Sequence, residues 1–261
     1  MNVSFSVHGK PVTLSRVAQA IRSRIFVEKI NACRGVFDDF ETAARAAPKS
    51  KPLGYEEAHS NNWYMSKMSA LQLEDYPVVF WLREALKESR SLLEIGGHIG
   101  EAFYAFQRVI DYSPELSWTI FDVPSIAAAG TSLAKERGCT HLHFTTHPEE
   151  TVGVDILLAC GAIQYLDYRT PAHMIAALRI RPRHILINTT PIYDGPSFVT
   201  IQNIGSVYCP YRVFNRDEMV QELDAVGYTL VDSWRKERKF RIPRHPEKSF
   251  DHYSGLYFRL R

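Results

Sequence analysis

From residue 91 onward, short apolar runs alternate with stretches of helical periodicity. SLLEI (91–95), SWTIFD (117–122), VDILLAC (154–160) and RHILINTT (183–190) are compact and β-rich. Between them, the segments at about 99–111, 124–137 and 170–180 place apolar residues on one helical face. A further strand is expected near 140–145. Strand–helix alternation of this kind predicts a parallel sheet covered by helices. NRDEMVQELDAVG reads as a helix between the N-cap Asn215 and Gly227. YTLVDSWRKER and HYSGLYFRLR then read as two closing antiparallel strands, for seven in all. The stretch 191–213 reads as irregular, rich in aromatic and polar residues.

Residues 1–90 carry a different pattern. TLSRVAQAIRSRIFVEKI sets Val17, Ile21, Ile25 and Phe26 near helical spacing, and VFDDFETAARAA reads as a helix stopped by Pro48. EDYPVVFWLREALKESR has Pro77 near a helix start and an apolar set of Val78, Phe80, Trp81, Leu82 and Leu86. An N-terminal helical cap (1–90) beside an α/β domain (91–261) is the expected organisation.

The stretch LLEIGGHIG (92–100) carries the most chemistry. It predicts a strand, a tight glycine turn and a helix, with the backbone free to approach a ligand closely. G-x-G-x-x-G does not fit, because its first glycine would fall on Ile95. The turn [D/E]-h-G-x-G-x-G, with h apolar, does fit at Glu94, Ile95, Gly96 and Gly100, with His98 where the middle glycine stands. That is the S-adenosylmethionine (SAM) turn of class I methyltransferases. A carboxylate at the end of the first strand suits the cationic SAM, whereas a pyrophosphate would be repelled. Asp122, 22 residues after Gly100, ends the second strand where an acid grips ribose hydroxyls. The cofactor-binding set is then Glu94, Gly96, Gly97, His98, Gly100, Asp122, Val123, Cys160 and Gly161. The fold expected is a Rossmann-like seven-stranded class I methyltransferase sheet with the helical cap.

Composition narrows the function. With 261 residues and 45% hydrophobic content there is enough material for one core and a small accessory region. Thirty-one basic against 29 acidic residues leave no global footprint for nucleic acid or membrane. Cys33, Cys139, Cys160 and Cys209 are widely spaced, with no metal-binding pattern, so free thiols, a cytoplasmic protein and no metal are expected.

The chain resembles a bacterial group of class I methyltransferases often encoded near polysaccharide or natural-product genes. The resemblance rests on PLGYEEA, EDYPVVFWL, LLEIGGHIG, IFDVPSI, LACGAIQYL, QNIGSVYCPYRVFNRDE, LDAVGYTLVDSW and HYSGLYFRL, and so runs over most of the sequence. IFDVPSI is also similar to the FDxP strand-two ending of small-molecule O-methyltransferases. The resemblance implies SAM dependence and fixes no substrate.

The strand ends beyond the cofactor turn are the places to look for the acceptor. After the fourth strand, CGAIQY lacks the [D/N]-P-P-[Y/F/W] of DNA amino-methyltransferases and the aspartate of metal-dependent O-methyltransferases. Gln164 lines the site, and Tyr165 either lines it or packs on the following helix. Tyr193 borders the acceptor site after the fifth strand. In 202–212, Asn203, Tyr208 and Arg212 are binding candidates, while Tyr211 buries the loop. Tyr64, beside Trp63 on the cap, completes the substrate-binding set. His252, Tyr193 and Tyr165 are the catalytic candidates. The run RKERKFRIPRH (235–245) is a solvated hairpin or an attraction for an acidic partner. A small-molecule, most simply oxygen-directed, methyltransferase is the first reading. A nucleic-acid methyltransferase and a non-catalytic SAM-binding protein are the alternatives, with a nicotinamide-dependent reductase a distant fourth. A homodimer through the N-terminal helices is the partner expectation.

Overall fold

The structure is a computed structural model that describes residues 4–7, 10–13, 26, 28–55 and 68–261. Strands β1 (Ser4–Val7) and β2 (Lys10–Thr13) form an antiparallel hairpin. Strand β3 (Cys33–Phe37) and helix α1 (Phe40–Ala46) follow, with Asp39 capping α1 through Thr42 N at 2.7 Å. Helix α2 (Tyr76–Ala85) carries Pro77 in its first turn and buries Val78, Val79, Leu82 and Ala85. The described part of residues 1–90 therefore mixes helix and strand, where periodicity predicted helix alone.

The α/β half follows the sequence pattern closely. It comprises β4 (Ser91–Ile95), α3 (Glu101–Phe106), β5 (Ser117–Phe121), α4 (Pro124–Glu136), β6 (Leu142–Thr145), β7 (Ile156–Cys160), α5 (Pro171–Leu178) and β8 (His184–Thr190). After β9 (Ile192–Tyr193), β10 (Phe198–Asn203) and β11 (Tyr208–Asn215) come α6 (Arg216–Ala225), β12 (Tyr228–Phe240) and β13 (Phe250–Leu260). Asn215 caps α6, its side chain accepting from Glu218 N at 2.7 Å.

The main sheet runs β12-β13-β8-β7-β4-β5-β6, parallel from β6 to β8, with β13 antiparallel to both neighbours. Its central strands are buried on both faces, hence the near-continuous apolar runs LLEI and ILLAC. One face packs on α2, α3 and α4 around Leu92, Phe103, Trp118 and Leu142. The other packs on α5 and α6 around Leu93, Leu157, Met174, Ile187 and Met219.

The stretch 191–213 is not irregular. It forms a second sheet, β3-β10-β11-β9, with β10 and β11 antiparallel and Cys33–Phe37 added along β10. Every residue of β10 is buried, so polar and apolar positions do not alternate and no strand period is visible.

Candidate functional site

The C-terminal ends of the parallel strands form one connected edge. Gly96 N donates to Phe121 O at 2.8 Å, Asp122 N to Thr145 O at 3.2 Å, and Gly161 N to Asn188 O at 2.8 Å. At the centre lies the turn after β4. Gly96 has φ +64°, and a Cβ there would stand 2.5 Å from the Cβ of Ala162. The turn therefore passes against the loop after β7 with no room for a side chain. A Cβ on Gly97 would meet Glu94 Cδ at 2.5 Å, so the backbone lies directly on the carboxyl group.

His98 occupies the middle-glycine position with φ +52° and so follows the left-handed path that a glycine would take. That conformation costs a non-glycine residue roughly 1–2 kcal/mol. It is held by the His98 N–H, which donates to Asp122 Oδ2 at 2.9 Å in a buried contact. Asp122 Oδ1 accepts from Val123 N at 2.8 Å. Burial pushes the Asp122 carboxyl up, and these two N–H groups draw it back. Each oxygen keeps a lone pair for a ligand hydroxyl.

Glu94 is 1% exposed and accepts from Trp118 Nε1 at 2.8 Å. Burial pushes its carboxyl up to about 8, the indole opposes this, and the charges of Glu101 and Asp122 add to it. Three carboxyl groups thus converge on one glycine turn, which fits a cationic group and disfavours an anionic one. Replacing Gly96 by Val combines a left-handed β-branched residue with an overlap on Ala162. It is expected to destabilise the fold by about 2–5 kcal/mol. An unchanged melting temperature would show that the turn and the Ala162 loop are not in tight contact.

Farther along the edge, Thr189 also has a positive φ, +50°. The pairing of β13 with β8 slips between Ser254↔Thr190 and Leu256↔Ile187, so Asn188 and Thr189 form a bulge opposite Gly255. Asn188 is buried, accepts from Trp234 Nε1 at 3.0 Å and donates to Asp75 Oδ1 at 3.3 Å. These bonds tie the start of α2 to the end of β8 and to β12.

The expected cofactor set falls along this edge as a group: the 94–100 turn, Asp122 with Val123, and Cys160 with Gly161. The acceptor set disperses. Gln164 lies beside the Gly161 turn, its Nε2 donating to Gly161 O at 2.7 Å. Tyr165 is partly buried, and its hydroxyl donates to Gln202 Oε1 at 2.6 Å. Burial pushes its pKa well up, so it stays a neutral donor and is a poor general base.

Tyr193 donates to Pro196 O at 2.6 Å within its own turn and stacks on Phe250. Asn203 accepts from Gly205 N at 3.0 Å and donates to Phe26 O at 2.9 Å. Tyr208 is buried, with Ser50 Oγ 3.0 Å from its hydroxyl. Arg212 is 7% exposed, lies over the ring of Phe40 and pairs with Asp167 at 3.2 Å. Alternation along β10 and β11 places Asn203, Tyr208 and Arg212 on the face toward α1, opposite Tyr211 and Thr200, so they serve the second sheet's own packing. Tyr64 and Trp63 lie outside the described residues.

His252 lines a cleft of about 220 Å³ between β9, β12, β13 and the start of α6. Burial and the Arg235 guanidinium hold its pKa below the ordinary value, against the pull of Asp194 and Asp251. Arg216, Arg235 and Ser254 share this cleft. Sequence reasoning reached Arg235 only as the first residue of the basic run 235–245, and missed Arg216, which follows the Asn215 cap, and Ser254. Among the described residues, no three His, Cys, Asp or Glu side chains cluster as metal ligands, and no helix is long and apolar enough to cross a membrane.

No protein-family model and no curated protein sequence matches this chain. Solved structures do resemble it. The PH0226 protein from Pyrococcus horikoshii OT3 aligns over 85% of this chain and 100% of its own, with a TM-score of 0.51 and 11% identity. Burkholderia thailandensis 1,6-didemethyltoxoflavin-N1-methyltransferase, solved with 1,6-didemethyltoxoflavin and S-adenosylhomocysteine, aligns over 72% of this chain and 78% of its own, with a TM-score of 0.49 and 22% identity. Magnesium protoporphyrin IX methyltransferase from Synechocystis PCC 6803, with bound S-adenosylhomocysteine, aligns over 78% and 89%, with a TM-score of 0.48 and 12% identity. The likeness is one of fold: the chain is built on a Rossmann-like seven-stranded sheet with a closing antiparallel strand pair.

Proposed function

We propose that this protein is a SAM-dependent methyltransferase acting on an oxygen of a small molecule, in natural-product or saccharide biosynthesis. The observation that carries the reading is the Gly96–Gly100 turn with Asp122 clamped beneath it. Gly96 and Gly97 leave the close approach open, Asp122 offers its free lone pairs to ribose hydroxyls, and Glu94 supplies a buried carboxyl for a cation. Val123, Cys160 and Gly161 complete the rim. When bound, SAM would supply an electrophilic methyl carbon.

The chain's own work is alignment, exclusion of water and proton handling. His252 is the proposed base. Its depressed pKa leaves a neutral imidazole at pH 7, ready to take the proton of an acceptor hydroxyl. No divalent ion enters this mechanism. The four cysteines are free thiols, which suits a cytoplasmic setting.

Calorimetric titration with SAM and with NADH tests the cofactor, and SAM alone is expected to bind. Tight NADH binding without SAM binding would replace this reading with a reductase. Once an acceptor is known, EDTA is expected to leave turnover unchanged, and magnesium-restored activity would overturn metal independence.

A further inference from the structure

The cleft holding His252 has a composition that the cofactor chemistry does not use. Asp194, Arg216, Ser233, Arg235, His252 and Ser254 line it. Arg216 and Arg235 form no ion pair with any described residue, whereas their basic neighbours Lys236, Arg241 and Arg261 pair with Glu74, Asp251 and Asp224. Two unpaired guanidinium groups against one carboxylate, Asp194, leave the cleft positive while His252 is neutral. Guanidinium groups with serine hydroxyls beside them form a donor-rich set suited to anionic oxygens.

Position and size narrow the occupant. Ser254 pairs with Thr190, the last residue of β8, and Cys160 at the end of β7 pairs with Asn188. The cleft therefore opens on the cofactor edge of the sheet. It is two strand spacings, about 10 Å, from the Gly161 turn. The bulge at Asn188 and Thr189 and the approach of Gly255, opposite it, to the Trp234 ring shape this end of the sheet. About 220 Å³ is below the ordinary range for a whole drug-sized ligand and fits one terminal group with a few carbons.

We propose that this cleft is the subsite for an acidic group of the methyl acceptor, so that the substrate is a small molecule bearing a carboxylate or phosphate. The subsite rests on the methyltransferase reading for its purpose, and its anion chemistry is measurable without it.

The test is an NMR titration of the full chain with acetate and with methyl phosphate. It follows the His252 ring signal, assigned by its loss in His252→Gln. Saturable shifts are expected, and the tighter probe tells carboxylate from phosphate. Arg216→Gln combined with Arg235→Gln is expected to weaken binding by about tenfold or more. Asp194→Asn should tighten it several-fold by removing an opposing charge, a gain that mere structural damage would not produce. No saturable shift in the wild type, or unchanged affinity in the double variant, would overturn the proposal. SAM titration of the same proteins separates the two claims. If the wild type binds the anions and not SAM, the cofactor reading fails while the anion site stands.

Discussion

Asp122→Ala is expected to lower SAM affinity by about a hundredfold or more, because one side chain performs two tasks. Charge-assisted hydrogen bonds to ribose hydroxyls contribute roughly 1.5–3 kcal/mol. The same carboxylate also holds His98 N at 2.9 Å and Val123 N at 2.8 Å. Without it, the left-handed His98 loses the bond that offsets its conformational cost, and the turn must be reordered on binding. Together these losses reach about 3–4 kcal/mol, a factor of roughly 10² to 10³. Asp122→Asn keeps one acceptor oxygen and should fall between, losing about tenfold. Calorimetry with SAM, alongside circular dichroism to confirm folding, measures both. A folded Asp122→Ala protein with wild-type affinity would remove Asp122 from the site.

The central sheet was legible because its strands are short, apolar and separated by amphipathic helices. The LLEI and ILLAC runs need no partner information to be read as strands buried on both faces. The Asn215 cap was legible for a local reason as well, since an N-cap side chain acts within three residues. The second sheet was not. Cys33–Phe37 pairs with residues more than 160 positions away, and no local pattern encodes that contact. Its central strand buries Thr200, Gln202 and Asn203 alongside Phe198, Val199 and Ile201, which erases the alternation that marks an ordinary strand.

The same cause bears on the acceptor reading. In 198–215, Asn203, Tyr208 and Arg212 read as ligand contacts and have internal partners in Phe26, Ser50 and Asp167, whereas Tyr211 buries the loop as expected. The anion cleft was hidden differently. RKERKFR is an exposed edge strand, and only its register with β13 shows that Arg235 shares a face with Ser254 and Ser233 with Leu256.

SAM affinity is expected to rise with pH, by up to about tenfold per unit between roughly pH 5.5 and 7.5, and to lose that slope in Glu94→Gln. Glu94 is pushed up to about 8 chiefly by burial, so in the cofactor-free protein it is protonated at neutral pH. A sulfonium or ammonium beside it favours the carboxylate, so binding expels a proton and strengthens as protons become scarce. The window closes near 7.5 because the cofactor's own amino group titrates at roughly 7.7–8.0.

Stability must move the opposite way. A folded-state pKa above the unfolded value of 4.5 means that the folded chain holds the extra proton between 4.5 and about 8. The stabilisation is complete below 4.5 and is lost as pH rises through the folded pKa. The cofactor-free wild type should therefore melt at progressively lower temperature than Glu94→Gln as pH rises from about 5.5 to 7.5, and saturating SAM should recover the difference. Calorimetry at pH 7 in two buffers of different ionisation heat should also report close to one proton released per SAM bound. A pH-independent affinity, or an equal slope in Glu94→Gln, would show that this carboxyl does not face the cofactor's charge.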